Sequence, residues 1–551
     1  MSVKISRRQF VTTGAAAAVL AACAKQPVTE APPATAVPAT EPPVEATLVP
    51  EAEATQDLSN TNLEQIVRLS EQKITLKAFS CPVYTTTDVT SFNEQLFDKK
   101  MEELTNVHMQ WEHAAEYGDA PFELKMASGD LPDVIAGVYS ISLFAKYGQK
   151  GAFEPLNDYI AANQYFSTVL QNDPIVKAMI TAPDGNIYAY PRYLEVGQRA
   201  FGGFFLRQDW LDEVGMDIPQ TIDEYYEVLK ACKQANPERY PLAGYSTSLG
   251  FIIWQWGVGS RGPNQGSDFY HDGDQILYGP IQPQFREALV FLNKLFQEGL
   301  VDPEYATLSD YAAAYKRWTD GIVGIGYGWA DDFAALMKAD PSMQLVGHRA
   351  PKGPYGHQEV LSNHMNIDPT NGGGLTITCS NKEIAAKYFD LYYSRSGAIL
   401  MNFGIYGDTY VEENGELKYT DKVLNDPKLV PMEYMWNYVS PTWIGPMYMM
   451  TAQERGLYTG KVGEAQILWD EEPWQTIQMP PLTFTDDENA VIQEVMTDIN
   501  TLVDENIAGF INGTKSLDTD FQAMVDTIRS LGIDRVTGVY QDAYDRFLSA
   551  M

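Results

Sequence analysis

Between Ile74 and Tyr139 the chain alternates strand and helix patterns, and that alternation limits the fold more than any other feature. Ile74-Thr-Leu-Lys-Ala-Phe79 and Val107-His-Met-Gln-Trp111 interleave apolar with polar residues at the period of a strand, and a helical pattern from Phe92 to Leu104 separates them. Phe122 to Ser128 then reads as the end of a helix, Gly129-Asp130-Leu131-Pro132 as a tight corner, and Asp133 to Val138 as a short buried strand. Glycine can take the left-handed conformation that ends a helix, and proline forbids the helix from resuming. A β-α-β-α-β order implies a parallel sheet with right-handed crossovers, whose ligands lie beyond the carboxyl ends of the strands. That brings Tyr139 within reach of a ligand. Asp133, at the start of the last strand, is expected to cap backbone amides.

A chain of 551 residues exceeds what one hydrophobic core holds, so at least two lobes are expected. A second run of elements begins at Phe201-Gly-Gly-Phe-Phe-Leu-Arg207. Thr221-Ile-Asp-Glu224 forms a capping box, followed by Tyr225, Val228, Leu229 and Cys232 at helical spacing. A helix from Phe285 to Glu298 stops at Gly299. Asn371-Gly-Gly-Gly-Leu-Thr-Ile-Thr378 reads as a flexible corner leading into a strand. Ser380 to Glu383 and Thr485 to Glu488 read as further capping boxes, and two amphipathic helices separated by Gly532 close the chain.

The formal charge is −34, and loss of residues 1–22, which carry Lys4, Arg7 and Arg8 and no acid, makes it more negative still. Such a field repels nucleic acid and anionic lipid surfaces. Four cysteines occur. With Cys23 set apart, Cys81, Cys232 and Cys379 have no short spacing, which argues against a disulfide framework and a zinc site. One bridge stays open, with Cys81 and Cys379 the pair that would make it.

Ser6-Arg7-Arg8-Gln9-Phe10-Val11 resembles the twin-arginine export signal, and Leu20-Ala21-Ala22-Cys23 resembles the bacterial lipobox, in which the cysteine is lipidated. The apolar run between them, Gly14 to Ala22, is too short to span a bilayer and reads as the core of a signal peptide, 1–22. Residues 23–70, rich in Pro, Ala, Thr, Val and Glu to about Asn60, form a disordered tether, lacking the apolar surface that would offset ordering entropy.

Several segments resemble the extracellular solute-binding lipoproteins that deliver sugars to ABC importers, in the branch that includes the alginate-binding proteins. They are Met126-Ala-Ser-Gly-Asp-Leu-Pro-Asp-Val134, Pro155-Leu-Asn-Asp158, Ala182 to Pro191, Leu206 to Asp212, Pro219 to Tyr225, Asn402-Phe-Gly-Ile-Tyr-Gly407, Phe510 to Leu517 and Tyr540 to Arg546. The resemblance runs in order from about residue 73 to the end. It implies an α/β fold of two lobes, the type II-like periplasmic-binding-protein fold, with hinge crossings and a ligand cleft between the lobes. The crossings are expected near Tyr190 to Phe204, Asn371 to Thr378 and Trp436 to Pro446. Residues 71–200 and 375–440 then form the N-terminal lobe and 201–374 with 441–551 the C-terminal lobe. Many members of this branch carry a calcium loop after the helix that begins at Thr221. Here Gln234 to Pro241 is too short and holds one carboxylate, so no metal and no cofactor is expected. Asp268, Asp272 and Asp274 read as a solvated turn.

A sugar cleft needs flat aromatic rings and fixed polar groups at their rims. Gly326-Tyr-Gly-Trp-Ala-Asp-Asp332 offers Tyr327, Trp329 and Asp331, and maltose-binding-type proteins have a similar segment whose Trp stacks on sugar. In Phe251-Ile-Ile-Trp-Gln-Trp-Gly257, Trp254 and Trp256 share a face if the segment is extended, with Trp256 favoured for the cleft. At the first crossing Arg192 and Tyr193 lie near Glu195, Arg192 binding hydroxyls or a carboxylate, or forming a surface salt bridge. Tyr406 and Trp443 lie near the later crossings. Arg199, Arg207 and Arg261 could join Arg192 in a local basic pocket for uronates.

The resulting expectation is a lipid-anchored, extracytoplasmic monomer that captures an oligosaccharide and delivers it to ABC importer permease subunits, touching the membrane only through its lipid. A peptide or other solute receptor is the alternative among binding proteins, and a carbohydrate-active hydrolase the alternative from another class. The six histidines lack the His-Glu-x-x-His spacing, and no Gly-x-Ser-x-Gly elbow or phosphate-binding loop occurs, so no enzyme is expected.

Overall fold

The computed structural model describes residues 63–80, 91–114, 119–137, 140–195, 202–242, 246–261, 267–305, 307–308, 311–359, 366–438, 445–470 and 477–551. Cys23, Cys81, Tyr139, Arg199 and Trp443 lie outside the described residues.

The alternation at the start of the body folds as expected. Strand β1 (Ile74–Ser80) pairs in parallel with β2 (Val107–His113) on one side and with β3 (Val134–Ala136) on the other. The helix before β3, Asp119–Ser128, stops at Gly129, whose φ is +70°. Asp133 takes its structural role: its Oδ2 accepts the backbone N–H of Lys77 at 2.8 Å and ties the corner to β1.

Strand β4 (Tyr190–Leu194) leads towards β5 (Gly202–Arg207), the centre of a second sheet. A small hairpin of β6 (Phe269–Asp272) and β7 (Gln275–Tyr278) follows. Strands β8 (Ile325–Trp329) and β9 (Leu345–His348) flank β5, both antiparallel to it. Strand β10 (Ile367–Leu375) returns to the first sheet, antiparallel between β3 and β4. A second hairpin, β11 (Tyr410–Glu413) with β12 (Glu416–Tyr419), precedes β13 (Met447–Met449), which pairs in parallel with β4. The sheets thus read β13-β4-β10-β3-β1-β2 and β8-β5-β9.

The chain therefore changes sheets between Leu194 and Gly202, between His348 and Ile367, and again after Met449. The first crossing falls where expected. The other two do not, because Ile367–Leu375 and Met447–Met449 both belong to the six-stranded sheet. The glycine triplet is strand interior and not a corner. A Cβ on Gly374 would sit 2.7 Å from the Tyr188 carbonyl oxygen and 2.8 Å from the Phe144 ring, and one on Gly373 would sit 3.0 Å from Pro446. These glycines admit neighbouring groups at close range.

After β13 the chain forms Thr451–Leu457 and then Gly460–Asp470, a helix laid on the three-stranded sheet. Trp469 is fully buried there, facing Gly203 on β5, while Ala465 fills the space above Gly347 on β9.

Two capping boxes form as the spacing predicts, at Thr221 with Glu224 and at Thr485 with Glu488. The stripe of Tyr225, Val228, Leu229 and Cys232 is buried. The third box does not form: the helix Lys382–Asp390 starts after Asn381 with no side-chain cap, so Ser380 and Glu383 are not the reciprocal pair. The 27-residue helix Asp486–Asn512 packs along Pro283–Gln297, where Asn293 Nδ2 donates to the Phe510 carbonyl at 2.9 Å.

Candidate functional site

Trp329 ends β8 and begins the helix Ala330–Ala339. The turn between them is made by Asp332, whose Oδ2 accepts the Trp329 backbone N–H at 2.8 Å while its Oδ1 accepts the Tyr315 hydroxyl at 2.5 Å. A Cβ on Gly328 would lie 2.9 Å from both Asp332 Oδ2 and the Phe205 ring, so glycine is what lets the carboxylate reach back. Opposite it, a Cβ on Gly202 would strike the Gly328 carbonyl oxygen at 2.4 Å. Gly202 and Gly328 thus let β5 and β8 approach beneath the Trp329 turn, while Gly203 makes room for Trp469.

The Trp329 side chain rests partly on the core and is only half-buried. Two residues on, Asp331 is also half-buried, and its Oδ1 is sealed from solvent with no hydrogen-bond partner. Burial pushes its carboxyl up to about 8, and the nearby Asp332 and Glu433 add to the rise. At neutral pH Asp331 is largely a neutral acid, able to donate as well as accept. The turn thus carries a partly exposed ring and, two residues on, a carboxyl with an unpartnered oxygen, the residue types that stack on an apolar surface and bond its polar rim.

The other rings of this segment belong to the core. Tyr327 is buried, stacks on Phe251 with ring centres 3.6 Å apart, and donates its hydroxyl to the Gly202 carbonyl at 3.3 Å. The segment expected to be extended around Trp254 and Trp256 is the end of the helix Ser246–Trp254 and the turn after it. Neither tryptophan faces a cleft. Trp254 is 2% exposed and donates its indole N–H to the Ser260 carbonyl, while Trp256 is 5% exposed and packs on Phe291. Helical geometry explains the difference, because the one face that Trp254 and Trp256 would share exists only in a strand, and in the helix and turn each ring finds its own place in the core.

Arg192 is 1% exposed and ion-paired with Asp368, so the surface salt bridge considered for it is instead a buried one. Tyr193 is buried with its ring 5.1 Å from that of Tyr448, and burial holds its hydroxyl well above the usual phenol range. Beside them Glu195 accepts from the Tyr448 hydroxyl at 3.3 Å and from the Thr451 backbone N–H at 2.9 Å. Tyr406 is 61% exposed, edge-on to Tyr410. Arg207 pairs with Asp209, and Arg261 with Asp268 and Asp504, so the charge of each is already matched by acids.

The sequence reading missed a polar group where the last crossing meets the two sheets. Glu454, in Thr451–Leu457, is 3% exposed and bonded to Gln466. Asp470 lies one turn beyond Gln466 on the same helix face, and Glu454 also feels the charges of Asp331 and Arg192. Nothing local in sequence joins these residues. The one readable signal is the four-residue spacing of Gln466 and Asp470, which sets two polar side chains on one face of a short helix.

The family model described as bacterial extracellular solute-binding protein matches residues 85–399. The fructooligosaccharide ABC transporter substrate-binding protein FusA of Streptococcus pneumoniae serotype 4 is 25% identical over 511 residues, covering 83% of this chain and 87% of that protein. Lipoprotein LipO of Bacillus subtilis is 26% identical over 59% of this chain and 66% of its own. Among solved structures, alginate-binding protein AlgQ2 without calcium ion is 27% identical with a TM-score of 0.74, covering 87% of this chain and 99% of that one. FusA in complex with kestose gives a TM-score of 0.71 at 21% identity, covering 87% of this chain and 100% of that one. The fold is accordingly the two-lobed α/β fold of these substrate-binding proteins, and the chain belongs to the bacterial extracellular solute-binding protein family.

Proposed function

We propose that the chain is a lipid-anchored extracytoplasmic receptor that takes an oligosaccharide into the cleft between its lobes and delivers it, as a monomer, to an ABC importer. The observation that carries this is the Trp329 turn, a half-buried aromatic ring followed two residues on by an acid whose Oδ1 has no partner, at the carboxyl end of β8. Sugars present C–H faces edged with hydroxyls, and such a turn matches both. The names of the relatives support the ligand class: one binds fructooligosaccharide, another, in Bacillus subtilis, polygalacturonan and rhamnogalacturonan. Signal residues 1–22, with their paired arginines, would direct export, and lipid on Cys23 would hold the body to the membrane through its tether.

A thermal-shift panel of neutral and acidic oligosaccharides and of peptides tests the reading. A ligand at 100 times its dissociation constant adds about 2.7 kcal/mol of stability. A shift with peptides and none with any sugar would overturn the sugar reading, and release of reducing ends during the assay would revive hydrolysis. Radiolabelled fatty acid should enter the wild-type protein and be lost in Cys23→Ala.

A further inference from the structure

His113 is the last residue of β2, in register with Ser80 at the end of β1. Strands β1, β2 and β3 run in parallel, β10 runs against β3, and β4 runs against β10. β13 follows β4, so both have the sense of β2. These two leave the six-stranded sheet from their carboxyl ends, and the sheet edge on which β2 ends is therefore the one that faces the crossings and the second lobe. Ligands lie beyond that edge of a parallel sheet. His113 stands there with its side chain half-buried, at the boundary of its lobe and not in the core.

The hydrogen bonds of the ring fix where its proton is. Nε2 lies 3.2 Å from the backbone N of Phe92 and 3.1 Å from the Ser91 hydroxyl. A backbone N–H can only donate, so Nε2 accepts and carries no proton. Ser91 Oγ already accepts from the Asn93 backbone N–H at 3.2 Å and from Asn93 Nδ2 at 3.0 Å, which leaves its own O–H for Nε2. With two donors converging on Nε2, the imidazole is neutral and its proton is on Nδ1. That N–H is shielded from solvent and has no acceptor.

Neighbours hold the ring at this angle. Phe92 meets it nearly at right angles with ring centres 4.6 Å apart, and Trp111, two residues back on β2, lies parallel to it at 6.3 Å. Asn93 accepts the Trp111 N–H at 2.8 Å and donates to the Trp111 carbonyl at 2.9 Å, clamping the helical turn Phe92–Glu94 to β2. A shielded donor without an acceptor is costly, and one whose direction is fixed cannot turn to find another. A donor so placed at a cleft edge is the kind of group that orients a polar ligand.

We infer that His113 is a ligand-binding residue: its Nδ1–H donates to an oxygen of the bound oligosaccharide, from the six-stranded sheet and across the cleft from Trp329. The inference rests on the sugar reading proposed above. Two substitutions separate the two ring nitrogens. Glutamine sets an amide oxygen near the place of Nε2 and keeps the bonds from Phe92 and Ser91 while losing the donor. Asparagine sets an amide nitrogen near the place of Nδ1 and does the reverse. The probe is the saccharide of the thermal-shift panel that the wild type binds best, with kestose and trigalacturonate among those tried. In the mature protein His113→Gln should melt close to the wild type without sugar, yet bind the probe at least about fivefold more weakly. His113→Asn should melt lower than His113→Gln and bind the probe more tightly than it does. Wild-type affinity in a stable His113→Gln, or losses of affinity in both variants that only follow their melting points, overturn the inference and leave the sugar reading standing. If His113→Gln does not fold, long-range proton–nitrogen NMR of the histidine-labelled wild type decides. The His113 signals, identified by their absence from His113→Asn, should show the proton on Nδ1, and the Nδ1 resonance should move when the probe is added. A proton on Nε2, or an Nδ1 resonance that bound sugar leaves in place, overturns the inference. A wild type that binds no sugar removes the sugar reading and this inference with it.

Discussion

Arg192 and Asp368 stand directly opposite each other in the antiparallel register of β4 and β10, 176 residues apart in the chain, and their ion pair is almost wholly out of solvent. Asn371, three residues along β10, adds a hydrogen bond to the same Asp368 oxygen at 3.1 Å. A pair so placed secures the register of two strands, one leaving for the first crossing and the other arriving from the second.

Removing one partner of this pair leaves a buried charge unmatched. Arg192→Met or Asp368→Leu should each destabilise the protein by about 3–5 kcal/mol, whereas the double variant that combines these two substitutions should recover much of the loss. Urea denaturation of the four proteins measures the coupling. Additive losses would mean that the two side chains are independent and the pairing has no energetic weight.

The middle of β10 makes a steric prediction. Gly374→Ala would force a Cβ to within 2.7 Å of the Tyr188 carbonyl oxygen, a backbone atom that cannot swing aside. A loss of about 1–3 kcal/mol in unfolding free energy is expected, as for other overpacked interior sites. By contrast Gly445→Ala, with open space at its Cβ, should leave stability nearly unchanged.

What was legible in the sequence divides along a physical line. Patterns set by neighbours in the chain were readable: the strand-helix alternation of β1 to β3, the Gly129 corner and the Thr221 and Thr485 caps all depend on residues a few positions apart. The role of Trp254 and Trp256 was not, because an apolar run reads equally as strand or buried helix, and only the tertiary setting selects between them. The glycine triplet misled for a similar reason. Glycine marks both flexible corners and close approaches, and the groups approaching it come from Tyr188, Phe144 and Pro446, far away in sequence. The polar group around Glu454 is assembled from separate sections of chain, and its one local trace is the four-residue spacing of Gln466 and Asp470.

Asp331 gives a pH prediction whose sign follows from its burial. Its carboxyl is raised from 3.8 to about 8 in the folded protein. A raised acid contributes its full share of stability below the unfolded value and loses it as pH climbs through the folded one. The wild type should therefore lose stability between about pH 4 and about pH 8 relative to Asp331→Asn, by at most about 1.4 kcal/mol for each pH unit crossed, less where solvent screens this half-buried group. Denaturation curves for both proteins at several pH values measure this. A constant difference between them across the range would mean that Asp331 titrates normally.

The two tryptophans Trp329 and Trp256 differ in what their rings support, and alanine at each position separates ligand contact from core packing. Trp256 is enclosed, with its ring 5.3 Å from that of Phe291, so Trp256→Ala opens a cavity and should destabilise the unliganded protein by about 3–5 kcal/mol. Trp329 is half-buried at the head of a helix whose cap comes from its backbone N–H, a group that alanine keeps. Trp329→Ala should lower the unliganded melting point only slightly. If the ring stacks on sugar, its removal should weaken binding by at least about tenfold, which corresponds to about 1.4 kcal/mol. Titration calorimetry with the oligosaccharide that gives the largest thermal shift, beside melting curves without it, measures both quantities. A melting loss in Trp329→Ala as large as that in Trp256→Ala would make Trp329 a core residue. Unchanged affinity in a stable Trp329→Ala would place the sugar against other rings, with Tyr406 the exposed candidate among the described residues.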